Sequence, residues 1–96
     1  MKHCCYHFVV SGRVQGVFFR ASAQEKAQQL GLKGWVRNLK TGQVELVACG
    51  DPKNIDKLEQ WLWRGPKFSI VNEVKSEYLS EAAINVHEGF EVRKDV

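Results

Sequence analysis

The chain has 96 residues, 44% of them hydrophobic and 26% charged, and a formal net charge of +3. One domain spanning residues 1–96 is expected, with a core that needs neither metal nor disulfide, and the composition excludes a disordered chain. The longest run without Asp, Glu, Lys or Arg, residues 3–12, is about half of a membrane span and lacks signal-peptide architecture, so a cytoplasmic protein with no membrane partner is expected.

In chain order, residues 4–11 alternate, with Cys4, Tyr6, Phe8 and Val10 more apolar than Cys5, His7, Val9 and Ser11, the period of a strand buried on one face. Residues 21–30 contain no Gly or Pro and set Ala23, Ala27 and Leu30 at helical spacing before Gly31, which predicts a first helix. Residues 35–39 and 43–50 flank Lys40, Thr41 and Gly42 and read as a hairpin. Asp51 before Pro52 starts a second helix, Ile55, Leu58, Trp61 and Leu62 give it an apolar stripe with Trp63 outward, and Gly65 with Pro66 ends it. A long strand over 69–79 and a short one over 89–92 complete the order.

This α+β order, β-α-β-β-α-β with a small extra strand, predicts a ferredoxin-like sandwich: an antiparallel sheet, both helices on one face, and the other face in solvent. Such a fold hosts metal carriers, RNA binders and enzymes alike, so function has to come from a site.

Residues 12–20 read G-R-V-Q-G-V-F-F-R and fall between the first strand and the first helix. Two readings fit. One is a tight corner with Arg20 solvated. The other is an anion cradle, in which successive N–H groups and the helix start face the guest, Gly16 lets the backbone approach it, Gly12 permits a sharp exit from the strand, and Arg20 adds a planar fork of donors. Val14, Val17, Phe18 and Phe19 then hold the cradle rigid by packing.

With G-W-V-R-N at residues 34–38 and T-G-Q-V-E at 41–45, this motif resembles the acylphosphatase family in size, element order and spacing over nearly the whole chain. The resemblance implies that Val14, Gln15, Gly16, Val17, Phe18, Phe19 and Arg20 form a substrate phosphate-binding loop, with Arg20 on the phosphate and Asn38 positioning the attacking water. It implies hydrolysis of a small acyl phosphate to a carboxylate and inorganic phosphate; separately, a monomer without cofactor or metal is expected, with a site that also accepts inorganic phosphate or a similar anion. Thr41 stands where many members carry Asp, a difference that touches the turn and not the site.

The chemistry suits the residues. No G-x-x-x-x-G-K-[ST] loop and no acidic cluster for magnesium is present, and the motifs bring together no Ser/His/Asp or Cys/His pairing. An acyl phosphate expels a carboxylate whose conjugate acid has a pKa near about 4 to 5, so no general acid is required. Asn38 cannot act as a base, and the substrate's own phosphate is the expected proton acceptor. Arg37, its neighbour, should point to the opposite sheet face.

Cys4, Cys5 and Cys49 show no C-x-x-C spacing and allow at most one pair. In the expected sheet, Cys5 and Cys49 share the more polar face of adjacent strands and can meet in a disulfide, which a reducing cytoplasm disfavours; Cys4 belongs with the core. His3 and His7 share a strand face, but no third ligand is fixed by spacing, so no metal is expected. Two rival functions remain. An RNA-recognition motif needs aromatics on a central strand that here reads Q-V-E-L-V-A-C-G, and the scattered Lys and Arg form no nucleic-acid tail, so no nucleic-acid partner is expected. A non-catalytic accessory domain, resembling the first domain of hydrogenase-maturation proteins, is the other.

Overall fold

In a computed structural model, residues 3–80 and 89–95 are described; the ends of the expected 1–96 unit and residues 81–88 lie outside the described residues. The elements run β1 (Cys4–Arg13), α1 (Phe19–Gln29), β2 (Lys33–Asn38), β3 (Val44–Gly50), α2 (Pro52–Arg64), β4 (Ile70–Leu79) and β5 (Phe90–Val92). They make one sheet in the order β4-β1-β3-β2-β5. This is the expected ferredoxin-like α+β architecture.

The core lies between one sheet face and both helices. Phe8 and Val10 of β1, Val36 of β2, Val44, Leu46 and Ala48 of β3 and Val74 of β4 share that face, where Phe19, Ala23 and Ala27 of α1 and Ile55, Leu58 and Leu62 of α2 meet them. Period-two and period-3.6 patterns thus bury one face of each element against the other. Asp51 caps α2, its Oδ1 accepting from Lys53 N at 2.8 Å, and Pro52 follows at the first helical position, where its missing N–H costs nothing. Trp61 is half-buried against Phe19, with ring centroids 5.6 Å apart, whereas Trp63 is exposed. Cys4 is half-buried and packs against this core.

Three expectations need correction. The sheet is mixed: β1, β2, β3 and β4 pair antiparallel, but β5 takes the free edge of β2 and runs parallel to it, Gly34 facing Phe90. Backbone bonds from Gly34 N to Gly89 O (3.1 Å) and Arg93 N to Val36 O (2.8 Å) extend that pairing, and Gln24 of α1 donates to the Phe90 carbonyl at 2.9 Å. Second, the sheet face away from the helices is not simply solvated. Cys5, Val47 and Cys49 are buried there in a small cluster with Trp35 and Leu79, and Cys5 and Cys49, directly opposite in the β1–β3 register, are joined by a disulfide. Beside them Glu45 bridges Arg37 (Nε to Oε1, 2.6 Å) and His7 (Nε2 to Oε2, 2.7 Å), while the Arg37 and Arg93 guanidinium groups lie 4.9 and 4.8 Å from the Trp35 ring centre. Third, α1 begins at Phe19 and not at residue 21, because Phe19 drops into the core; Arg20 therefore sits in the first helical turn.

Candidate active site

The loop that links β1 to α1 is set by the end of β1. Between Ser11 and Gly12 the β1–β4 register shifts, and at Gly12 (φ 130°) a Cβ would fall on the Ile70 carbonyl. Gly12 is thus needed for the close approach of β4 and not for a sharp exit, since β1 continues through Arg13. Past the bulge, Val14 and Phe19 are fully buried and Val17 is half-buried on the core, so the loop is pinned at both ends and once between. Phe18 departs from the expectation: it is 82% exposed and pins nothing.

Gln15 supplies a second clamp. Its Nε2 donates to the carbonyls of Leu39 and Gln43, both at 2.9 Å, which ties the loop to the β2–β3 hairpin. Gln43 in turn donates to Ser11 Oγ at 2.8 Å and accepts from Thr41 Oγ1 at 2.8 Å, so turn, strand and loop are one hydrogen-bonded unit. Thr41 therefore steadies the turn. Gly16 adopts φ 74° with open space where its Cβ would be, and Phe18 adopts the left-handed φ 62°, ψ 25°. Among the described residues, no acceptor is bonded to the N–H of Gly16, Val17 or Phe18. Phe18 stands at the N-cap of α1 without a side-chain cap, which also leaves the first N–H groups of the helix available.

Asn38 ends β2 on the same face as Gly34 and Val36, under the helices, and is 9% exposed. Its Oδ1 is buried with no hydrogen-bond partner among the described residues. Val14, Gln15, Gly16, Phe18, Phe19, Arg20 and Asn38 line one pocket of about 370 Å³. Of the expected loop residues, only Val17 is not in its lining.

Arg20 reaches the pocket from the first turn of α1, and one Nη1 donates to Asp95 Oδ1 at 2.6 Å. That pair is exposed, 37% and 55% by side chain, and uses one of five guanidinium donors. Ala21 and Val92 complete the pocket wall. Neither these two nor Asp95 was expected. Ala21 lies one residue past the motif, whereas Val92 and Asp95 arrive only because β5 docks beside β2, a pairing that no local sequence signal announces. A larger hollow of about 550 Å³ lies between the helices, with Lys26, Trp61 and Arg64 in its wall, but it gathers none of the motif residues.

Among the described residues, no cluster of His, Cys, Asp or Glu has metal-ligand geometry. His7 is held by Glu45 on the opposite sheet face, far from any role in the pocket.

The sequence profile of the family described as Acylphosphatase matches residues 6–92. An acylphosphatase of Nitrosococcus oceani is 47% identical over 89 residues, which cover 93% of this chain and 97% of that one. The structure of an acylphosphatase from Coxiella burnetii superposes with a TM-score of 0.88 at 47% identity, covering 95% of this chain and 93% of that one. The acylphosphatase from Bacillus subtilis also gives 0.88, at 31% identity over 94% and 98% of the two chains.

Proposed function

Because the chain belongs to the acylphosphatase family and is a hydrolase of small acyl phosphates, we propose that the pocket of Gly16, Arg20 and Asn38 is where it performs that hydrolysis. The observation that carries this reading is that Gly16, Arg20 and Asn38, brought from the loop, α1 and β2, line one pocket.

The phosphoryl oxygens sit against the N–H groups of residues 15–20, where the positive end of the helix dipole and the unbonded N–H groups favour negative charge. Arg20 adds a full positive charge and parallel donors. The Asn38 side-chain amide holds a water and turns the water's lone pair toward phosphorus, in line with the departing carboxylate. The P–O bond to the acyl group breaks as the new P–O bond forms, the carboxylate leaves unprotonated, and a phosphoryl oxygen takes the water's proton. No general acid is needed because the leaving group is a weak base. For the same reason the reaction as drawn calls for no metal. Gln15 holds the cradle and the Asn38 strand in register through the Leu39 and Gln43 carbonyls.

Small acyl phosphates are the substrates; a monomer working in the cytoplasm as a single domain, with phosphate as product and competing ligand and neither nucleic acid nor membrane as partner, completes the proposal. Phosphate release from benzoyl phosphate in ¹⁸O-water with a chelator tests it. The expected result is undiminished turnover with the label in phosphate. Label in benzoate, or activity that depends on added metal, contradicts the mechanism.

A further inference from the structure

We propose that Phe18 reads the acyl half of the substrate and makes the enzyme prefer acyl phosphates with an aryl or bulky apolar acyl group. The inference rests on the pocket being the hydrolytic site and goes on to name which substrates it favours.

Phe18 is a poor choice for every structural purpose at its position. Its φ of 62° lies in the left-handed region, the only such non-glycine among the described residues. Gly or Asn adopts that conformation at lower cost. It occupies the N-cap of α1, where Ser, Asp or Asn is favoured, and makes no cap bond. Its ring is 82% exposed and so contributes nothing to the core. Glycine there relieves the strain and leaves the helix N–H groups equally open to phosphate, so anion binding does not explain the ring.

The pocket does explain it. Beyond the phosphate-facing side, the wall is apolar: Val14, Phe18, Phe19, Ala21 and Val92. Val92, arriving from β5, is itself 41% exposed, and with Phe18 it gives the pocket an apolar rim from two separate elements. About 370 Å³ is far more than a phosphate of five heavy atoms occupies, and lies within the range of pockets that enclose an organic ligand. An acyl phosphate has two ends of opposite character. With its phosphate on the N–H groups and Arg20, its acyl group extends along this apolar side, where a phenyl ring gains offset or edge contact with Phe18 that a methyl group cannot.

The test is the ratio of kcat/KM for benzoyl phosphate to that for acetyl phosphate, in wild type, Phe18→Gly, Phe18→Asn and Phe18→Leu. Taking each variant's ratio against wild type cancels the unequal intrinsic reactivity of the two anhydrides. Gly and Asn both accept the left-handed backbone, so the ring is removed without refolding the loop. The expected ratio falls about three- to tenfold in both, with Leu between them and wild type. A ratio unchanged within twofold in the Gly and Asn variants overturns the inference while leaving the hydrolytic site standing. Wild-type protein that hydrolyses neither compound overturns the site and this inference together.

Discussion

At the scale of single residues, the site rests on a few groups whose side chains do unlike work. Arg20 carries charge in a position where an ammonium lacks the fork, so Arg20→Lys is expected to lose at least about tenfold in kcat/KM for benzoyl phosphate, and Arg20→Ala about a hundredfold or more. With no enzyme group titrating in the chemical step, kcat should stay level from about pH 5 to 8; a steep bell in that window contradicts the proton route to the substrate's phosphate. That Arg20 and Asn38 would meet in one pocket was legible in the sequence because two separated motifs present them. Phe18 was legible as a loop member but not as an exposed one, since an F-F pair does not say which ring turns inward. The Arg20–Asp95 pair was not legible at all, being set by where β5 docks.

At the scale of elements, the two glycines of the first motif do different jobs, and substitution should separate them. Gly12→Ala drives a Cβ into the Ile70 carbonyl at φ 130° and is expected to cost at least about 2 kcal/mol in urea unfolding. Gly16→Ala meets no atom within 4 Å but keeps φ 74°, so about 1–2 kcal/mol of stability is expected to go, and activity is expected to fall as the strained loop, part of the pocket lining, shifts. Gln15→Ala frees the loop from the hairpin, removing two hydrogen bonds worth about 1 kcal/mol each, and should lower kcat as the cradle and Asn38 lose their common frame. Strands and helices were readable from periodicity and caps, as in residues 4–11 and Asp51 with Pro52. The α1 start was misplaced by two residues because glycine content suggested loop where burial of Phe19 already demanded helix. The parallel pairing of β5 was hidden because a three-residue strand carries no orientation signal of its own.

At the scale of the whole molecule, the two sheet faces divide the labour: one holds the core and the pocket, the other a disulfide and an ion cluster. Reduction of the Cys5–Cys49 bond opens a closed loop with a sequence separation of 44 and should lower stability by up to about 4 kcal/mol in the chain-entropy picture, read as a fall in Tm with reductant. Burial and the Asp51 charge raise the Cys4 thiol, which keeps it a poor nucleophile for exchange with that bond. Burial pushes the Glu45 carboxyl up, but hydrogen bonds and charges from His7 and Arg37 outweigh it and hold it below the usual range. A carboxyl depressed on folding adds stability above its unfolded pKa of about 4.3 and loses it as pH falls through the lower folded value. Wild type should therefore lose Tm below about pH 4 more steeply than Glu45→Gln. The central claim, that the loop and Arg20 hold phosphate while Asn38 serves only the water, has one direct test: kcat for benzoyl phosphate beside the inhibition constant of inorganic phosphate in Asn38→Ala. The account predicts that kcat falls about a hundredfold while phosphate inhibits as in wild type. Retained kcat, or a matching loss of phosphate affinity, contradicts it.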